Sequence, residues 1–295
     1  MASASATETK VYSTDAPDPS PGFIPTSTPT PSAVNEQVRF VVIGDYGEGN
    51  QAEQDVSELV KSWNPDLIIT VGDNNYPIGS AETIDQNIGR YYQEFIHPYL
   101  GLHGPGASKN RFFPTLGNHD WDTPGAQPYL DYFTLPGNER YYDFTWALVH
   151  FFAINSDSRE PDGVSPISVQ AQWLEQKLKN STLPWKIVYF HHPPFSSGYH
   201  GPVDWMRWSF KEWGASAVLS GHDHLYERLL VEELPYFING LGGGPIYSFV
   251  SIASGSQVRY NEDYGAMLVT ADTTNLIFQF YNRTGKLIDE YRISQ

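Results

Sequence analysis

The sequence predicts an α/β fold. Short, β-branched apolar runs recur along most of the chain, and segments with helical apolar spacing lie between several of them. No apolar run approaches the roughly 20 residues that a membrane-spanning helix needs, so these runs read as buried strands and core helices.

The first strand is Val38–Arg39–Phe40–Val41–Val42–Ile43, which leads into Gly44–Asp45–Tyr46–Gly47. Residues 51–63 follow with helical spacing, Val56, Leu59, Val60 and Trp63 falling on one face, and Asn64–Pro65 ends the helix. Asp66–Val71 is a second buried strand, ending at Gly72–Asp73. A strand–helix–strand unit of this kind pairs its strands in parallel through a crossover. Residues 82–97 read as a helix, and Arg111–Leu116 leads to Gly117–Asn118–His119–Asp120. Strand-like aromatic segments from Tyr141 to Ile154 are expected to pair antiparallel. A helix is expected over 169–180, with Val169, Trp173 and Leu178 as its apolar residues. Strand Lys186–Phe190 ends at His191–His192, and a short helix is expected near 202–213. The apolar run Ala217–Ser220 ends at Gly221–His222–Asp223–His224, and beyond Leu225 the chain is mostly strand with Gly-rich turns.

Residues 1 to about 36 differ from all of this. They are rich in Ser, Thr, Pro and Ala and poor in apolar residues, and read as a disordered tail. The Met1 region has neither a basic n-region nor an apolar h-region, so no signal peptide is read, and secretion would require that a leader had been removed. The chain of 295 residues is 40 % hydrophobic, enough for a sizeable core. Its net charge of −16 argues against binding nucleic acid or anionic membranes. The absence of cysteine excludes disulfides, thiolate metal sites and cysteine nucleophiles, so any metal must be held by oxygen and nitrogen.

Metal-capable side chains stand at the ends of five of the strands. Asp45 follows the first, Asp73 the second, Asn118 and His119 the third, His191 the fourth, and His222 and His224 the fifth. Ligands of open α/β sheets collect beyond the carboxyl ends of strands. Gly44, Gly72, Gly117 and Gly221 precede four of the five groups and permit tight turns there. A single strand-end Asp commonly caps the next helix, the simpler reading of Asp45 taken alone. Five such ends in one chain point to a shared site. His222 and His224, two apart, aim at one place if their segment is extended. Asp223, of opposite parity, would point away and orient a neighbour. Carboxylate, amide and imidazole together suit Fe, Mn or Zn, and there are too many ligands for one ion. Two ions about 4 Å apart sharing a carboxylate would clamp phosphoryl oxygens.

The blocks Asp45–Tyr46–Gly47, Gly72–Asp73–Asn74–Asn75–Tyr76, Gly117–Asn118–His119–Asp120, Val188–Tyr189–Phe190–His191 and Gly221–His222–Asp223–His224 are together similar to the five motifs of the purple acid phosphatases, within the metallophosphoesterase superfamily. The resemblance spans about residues 38–260. It implies a β-sandwich flanked by helices, in four αββα layers, with the site at one edge. It implies the small single-domain type, with one catalytic domain over 37–295. It also implies that Asp45, Tyr76 and His224 hold Fe(III), that Asn118, His191 and His222 hold Zn, Mn or Fe(II), and that Asp73 bridges. His119 would contact the substrate phosphate. His200, nine positions beyond His191, would be the general acid facing the leaving group. The implied reaction is hydrolysis of phosphate monoesters, small phosphorylated substrates, by a metal-bound hydroxide.

Each residue has a plainer reading as well. Tyr76 is one of 19 tyrosines and could pack in a loop. His119 could hydrogen-bond a ligand, His200 could be a surface residue of a Gly-rich loop, and His192 could replace His191. Asp120, Trp121 and Asp122 are expected only to shape the rim. Competing functions are a Mn/Zn phosphodiesterase or nucleotide pyrophosphatase of the same superfamily, and a non-catalytic, metal-stabilised binding protein.

Overall fold

The structure is a computed structural model and describes residues 37–295; the expected tail over 1–36 lies outside the described residues. Strands β1 (Val38–Ile43), β2 (Leu67–Thr70) and β3 (Phe112–Pro114) run parallel. Strands β11 (Gly265–Ala271), β12 (Asn275–Asn282) and β13 (Leu287–Ser294) join β1 antiparallel, giving the order β13-β12-β11-β1-β2-β3. The second sheet contains β4 (Tyr142–Trp146), β5 (Val149–Ala153), β6 (Trp185–Tyr189), β7 (Ala217–Ser220), β8 (Tyr226–Val231), β9 (Leu234–Asn239) and β10 (Ser256–Tyr260). Its order is β10-β8-β9-β7-β6-β5-β4, with β5, β6, β7 and β9 parallel and the β4–β5 pair antiparallel as expected.

The inner faces of the two sheets meet through aromatic rings. Phe40 of β1 lies 4.9 Å edge-on to Phe151 of β5, Phe237 of β9 stacks 4.6 Å from Phe278 of β12, and Tyr226 of β8 stacks 4.1 Å from Phe280 of β12. The next residue along each strand of the second sheet faces outward instead, because strand side chains alternate. Phe152, Val188, Val218 and Ile238 thus share an outer core with Leu174 and Leu178 of α5 (Val169–Asn180) and with Phe210 of α6 (Phe210–Trp213). On the other sheet, Val56 and Val60 of α1 (Gln51–Ser62) are buried with the strands. Both faces of the central strands are covered, so most of these are apolar along their whole length, whereas β10, β12 and β13 alternate buried and more exposed residues. The result is an α/β fold of two mixed sheets flanked by helices.

Three helices differ from expectation. The run expected over 82–97 is composite: α2 (Ala81–Ile84), a wide π turn at Asp85–Gly89, α3 (Arg90–Tyr92) and a 3-10 turn at Gln93–Phe95. The helix expected near 202–213 is a 3-10 turn at Asp204–Met206 followed by α6. In α5 the buried residues are Gln170, Ala171, Leu174 and Leu178, while Val169 is exposed. Gln170 is drawn inward because its amide bonds both the N–H and the carbonyl of Asn155, which rotates the packed face away from Val169. No helix among the described residues is long and apolar enough to cross a membrane.

Candidate metal centre

The carboxyl ends of β1, β2, β3, β6 and β7 open on one edge of the sandwich. Backbone bonds tie the exits together: Asp45 N–H to Gly72 O at 3.1 Å and Gly221 N–H to His191 O at 2.9 Å. Asn239 on β9 joins the sheets by donating to Val42 O at 2.7 Å. Asp45 does not cap a helix; Asn50 caps α1 by accepting from Glu53 N–H.

A closed chain of contacts joins all seven expected ligands. Asp45 Oδ1 is 3.3 Å from His224 Nε2, which is 3.1 Å from the Tyr76 hydroxyl. That hydroxyl is 3.1 Å from Asp73 Oδ2, itself 3.3 Å from His191 Nε2. His191 Nε2 is 3.0 Å from Asn118 Oδ1 and 3.1 Å from His222 Nδ1. The backbone N–H of His222 returns to Asp45 at 3.1 Å. Two sets of three ligand atoms, Asp45–Asp73–His191 and His191–His192–His222, each lie within 4.8 Å of one another. His192 therefore borders the cluster, but its Nδ1 is engaged by Ser156 Oγ at 2.9 Å. His191 alone belongs to both sets.

The expectation that Gly221–His224 is an extended segment fails. His222 sits in the left-handed region at φ 67°, and its ring turns to His191 while that of His224 turns to Asp45 and Tyr76. Asp45 and Asp73 share this conformation, at φ 53° and 51°. Three residues held in a sparsely populated backbone region around one cavity mark a constrained functional site. Gly72, at φ 90°, allows the approach of His191, whose ring atoms would lie 2.7–2.8 Å from any Cβ there.

The donor set fits cations. His191 Nδ1 meets the Val71 carbonyl at 2.9 Å, and His224 Nδ1 meets the Pro245 carbonyl at 2.7 Å. Only an N–H satisfies a carbonyl, so the neutral ring carries its lone pair on Nε2, aimed at a carboxylate. Lone pairs facing lone pairs need a positive charge between them, and a backbone carbonyl on the far nitrogen is how metal-binding histidines are oriented. Asp45 and Asp73 are fully buried, and among the described residues no Lys or Arg bonds either. Only histidines and hydrogen-bond donors offset the two carboxylates, and burying each of them costs several kcal/mol in order of magnitude.

The electrostatics follow. Burial opposes charge on His191, yet Asp73 and Asp45 win and hold its pKa up to about 10. Burial likewise opposes ionisation of Asp73, but His191 and His119 keep the carboxyl below its usual range. His222 is pushed down by burial and by His191. Burial, then the charges of Asp73 and Asp45, push the Tyr76 phenol well up, so only a strongly acidic cation would draw out its phenolate.

His119 lies beside Tyr76 and Asp73, and His200 beside His222. The His119 ring packs 4.5 Å from that of Tyr76, with Nδ1 2.5 Å from Pro77 O and Nε2 3.9 Å from Asp73. His200 is exposed, its ring 4.3 Å from that of His222. Asp223 is buried and does orient a neighbour: it accepts from the Ser196 hydroxyl and from His200 N–H, the latter at 2.8 Å.

Three residues support the site in roles that the motifs do not reveal. Asp120, expected only at the rim, is buried and accepts from Asn74 and from Gly117 N–H, fixing the turns after β2 and β3. Arg159 donates to Asn118 O, Trp121 O, Asp122 and Asp157, tying the 118–122 turn to the loop after β5. Tyr247 stacks on His224 at 4.1 Å. Asp120 stands within the Gly117–Asp120 block but with its role unread; Arg159 and Tyr247 have no local signature.

The sequence profile of the calcineurin-like phosphoesterases matches residues 38–226. The chain is 25% identical to purple acid phosphatase 17 of Arabidopsis thaliana over 250 residues, covering 72% of this chain and 70% of that protein. It is 24% identical to tartrate-resistant acid phosphatase type 5 of Mus musculus over 258 residues, covering 73% and 74%. Among solved structures, a purple acid phosphatase from yellow lupin (Lupinus luteus) seeds superposes with a TM-score of 0.70 at 18% identity, over 88% of this chain; the match spans 54% of the lupin chain. GAP50, described as the anchor in the inner membrane complex of Plasmodium, superposes with a TM-score of 0.64 at 17% identity, over 88% and 89% of the two chains.

Proposed function

The chain belongs to the calcineurin-like phosphoesterase family, and from that premise we propose that it hydrolyses phosphate monoesters in the manner of a purple acid phosphatase. It is a metal-dependent phosphoesterase with a binuclear cluster. The observation that carries the finer reading is the buried Tyr76 hydroxyl, 3.1 Å from both Asp73 Oδ2 and His224 Nε2.

Asp45, Tyr76 and His224 would hold one ion, Asn118, His191 and His222 the other, and Asp73 both. A phenol with a pKa near 10 ligates as phenolate at neutral pH only to a strongly acidic cation, which favours Fe(III) beside Tyr76. The imidazole–amide set suits Zn, Mn or Fe(II). When bound, two such cations supply Lewis-acid charge and an activated water for in-line displacement at phosphorus. His119 would hold the phosphate through its equatorial oxygens. His200 would donate its proton to the departing alkoxide, so that water and ester yield alcohol and phosphate. Both sheets supply ligands, so residues 37–295 act as one catalytic unit in this reading.

Metal analysis beside phosphate release from an alkyl phosphate tests the proposal: turnover that tracks metal loading supports it, and none in the fully loaded protein contradicts it. The similarity to GAP50 favours a second reading, a binding or anchoring protein without turnover, because fold alone does not fix function. His119 and His200, which a structural metal site would not need, count against it. A Mn/Zn phosphodiesterase would not need the Tyr76 phenolate.

A further inference from the structure

Beside His200 the surface is aromatic. Tyr199 is 68% exposed, with its ring 5.4 Å from that of His200 and 5.9 Å from that of Tyr247. The Tyr247 ring, stacked on His224, lies 5.3 Å from that of His200. Further along the same segment Val250 and Ile252 are exposed. Scattered apolar residues on a surface need no explanation, but two tyrosine rings within 5.4 Å of one exposed histidine at a reactive site do.

This lip is held rigidly from beneath. Val250 N–H donates to Ser197 O at 3.0 Å and Ala253 N–H to Ser197 Oγ at 2.8 Å. Buried Glu227 accepts from Ser197 N–H at 2.8 Å and from the Ser197 hydroxyl at 2.5 Å. Gly198 N–H bonds Ser196 Oγ, which is itself fixed by Asp223. Tyr199 is thus presented at little entropic cost to a ligand that stacks on it. Neither 196–201 nor 245–253 contains a Lys, Arg, Asp or Glu. A second phosphate would find no counter-charge on these segments, and the net charge of −16 disfavours it further.

Building on the phosphatase reading, we infer that Tyr199 and Tyr247 form the subsite for the alcohol half of the substrate, and that it takes an uncharged group bearing an aromatic ring in preference to a sugar or a polyphosphate. The phosphate is held at the cluster, His200 meets the bridging oxygen, and the ring of the leaving group rests against the two tyrosines.

Phenethyl phosphate and propyl phosphate test this, because their alkoxides are of nearly equal basicity and the chemical step cancels in the comparison. The metal-loaded protein is expected to favour phenethyl phosphate in kcat/KM by about three- to tenfold, the range of one aromatic contact. Tyr199→Ala should pull that ratio toward one and Tyr199→Phe should keep it. A ratio unchanged in Tyr199→Ala, with both esters slowed alike, would mean that Tyr199 only props the His200 loop, and would overturn the subsite. Calorimetric binding of phenethylphosphonate against propylphosphonate gives a second reading that needs no turnover. Absence of hydrolysis of both esters would contradict the phosphatase reading; absence of a phenyl preference in binding would contradict this one.

Discussion

His191 Nε2 and Asp73 Oδ2 face each other across 3.3 Å, and the Val71 carbonyl at 2.9 Å from Nδ1 fixes which nitrogen of His191 is turned to the carboxylate. In the metal-free protein a proton must fill that gap; under the proposed ligation a cation would take its place. The rest of the site repeats this logic at His224 and Asp45.

The exchange gives a pH dependence. Burial lowers the His191 pKa, but Asp73 and Asp45 raise it further, from 6.5 to about 10. A folded pKa above the unfolded one stabilises fully below about pH 6.5, and the contribution is lost as pH rises through about 10. Metal-free protein should therefore lose Tm between those values, and the loaded protein should lose less. Loading at neutral pH should release protons. Titration calorimetry in buffers of different ionisation enthalpy reads this, and loading without proton release would contradict it.

Tyr76→Phe should abolish any visible absorption of the iron-loaded protein, because the band expected there is phenolate-to-metal charge transfer. The variant should still fold, since a phenyl ring can keep the contact with His119 at 4.5 Å. A wild-type protein that is active and colourless would favour the phosphodiesterase reading.

His200→Ala should slow alkyl phosphates by about 10²–10⁴-fold in kcat, the usual contribution of a general acid. Nitrophenyl phosphate, whose leaving group departs without a proton, should be affected far less. Equal loss on both substrates would remove His200 from that role.

Arg159→Lys should weaken metal binding or kcat/KM by about 10- to 100-fold, the scale seen when a residue supporting a ligand is lost. All five guanidinium donors are engaged, between Asp157, Asp122 and the carbonyls of Asn118 and Trp121. An ammonium cannot bridge those groups. Circular dichroism should stay native, and unchanged metal affinity and kinetics would show that the turn holds itself.

What could be read from the sequence was what is local. Each strand end carries its glycine and its ligand within a few residues, so the five blocks are visible in one dimension. Arg159 reaches Asn118 across 41 positions and has no motif of its own. Gln170 is polar yet buried, which hid the packed face of α5 behind the apolar but exposed Val169. Strand parity aims His222 and His224 at one place, but a left-handed turn at His222 sends the two rings to different partners within the cluster. Backbone conformations of that kind are set by the packing around Gly221 and Asp45, not by the residue itself.

The most direct measurement is the metal content of the purified, loaded chain beside that of Asp73→Ala. The proposed sharing of Asp73 between two cations predicts that the wild-type chain holds two ions and that the variant loses affinity for both together. A wild-type protein that hydrolyses phosphate esters at full rate with one ion or none, or an Asp73→Ala chain that keeps both, would contradict the account.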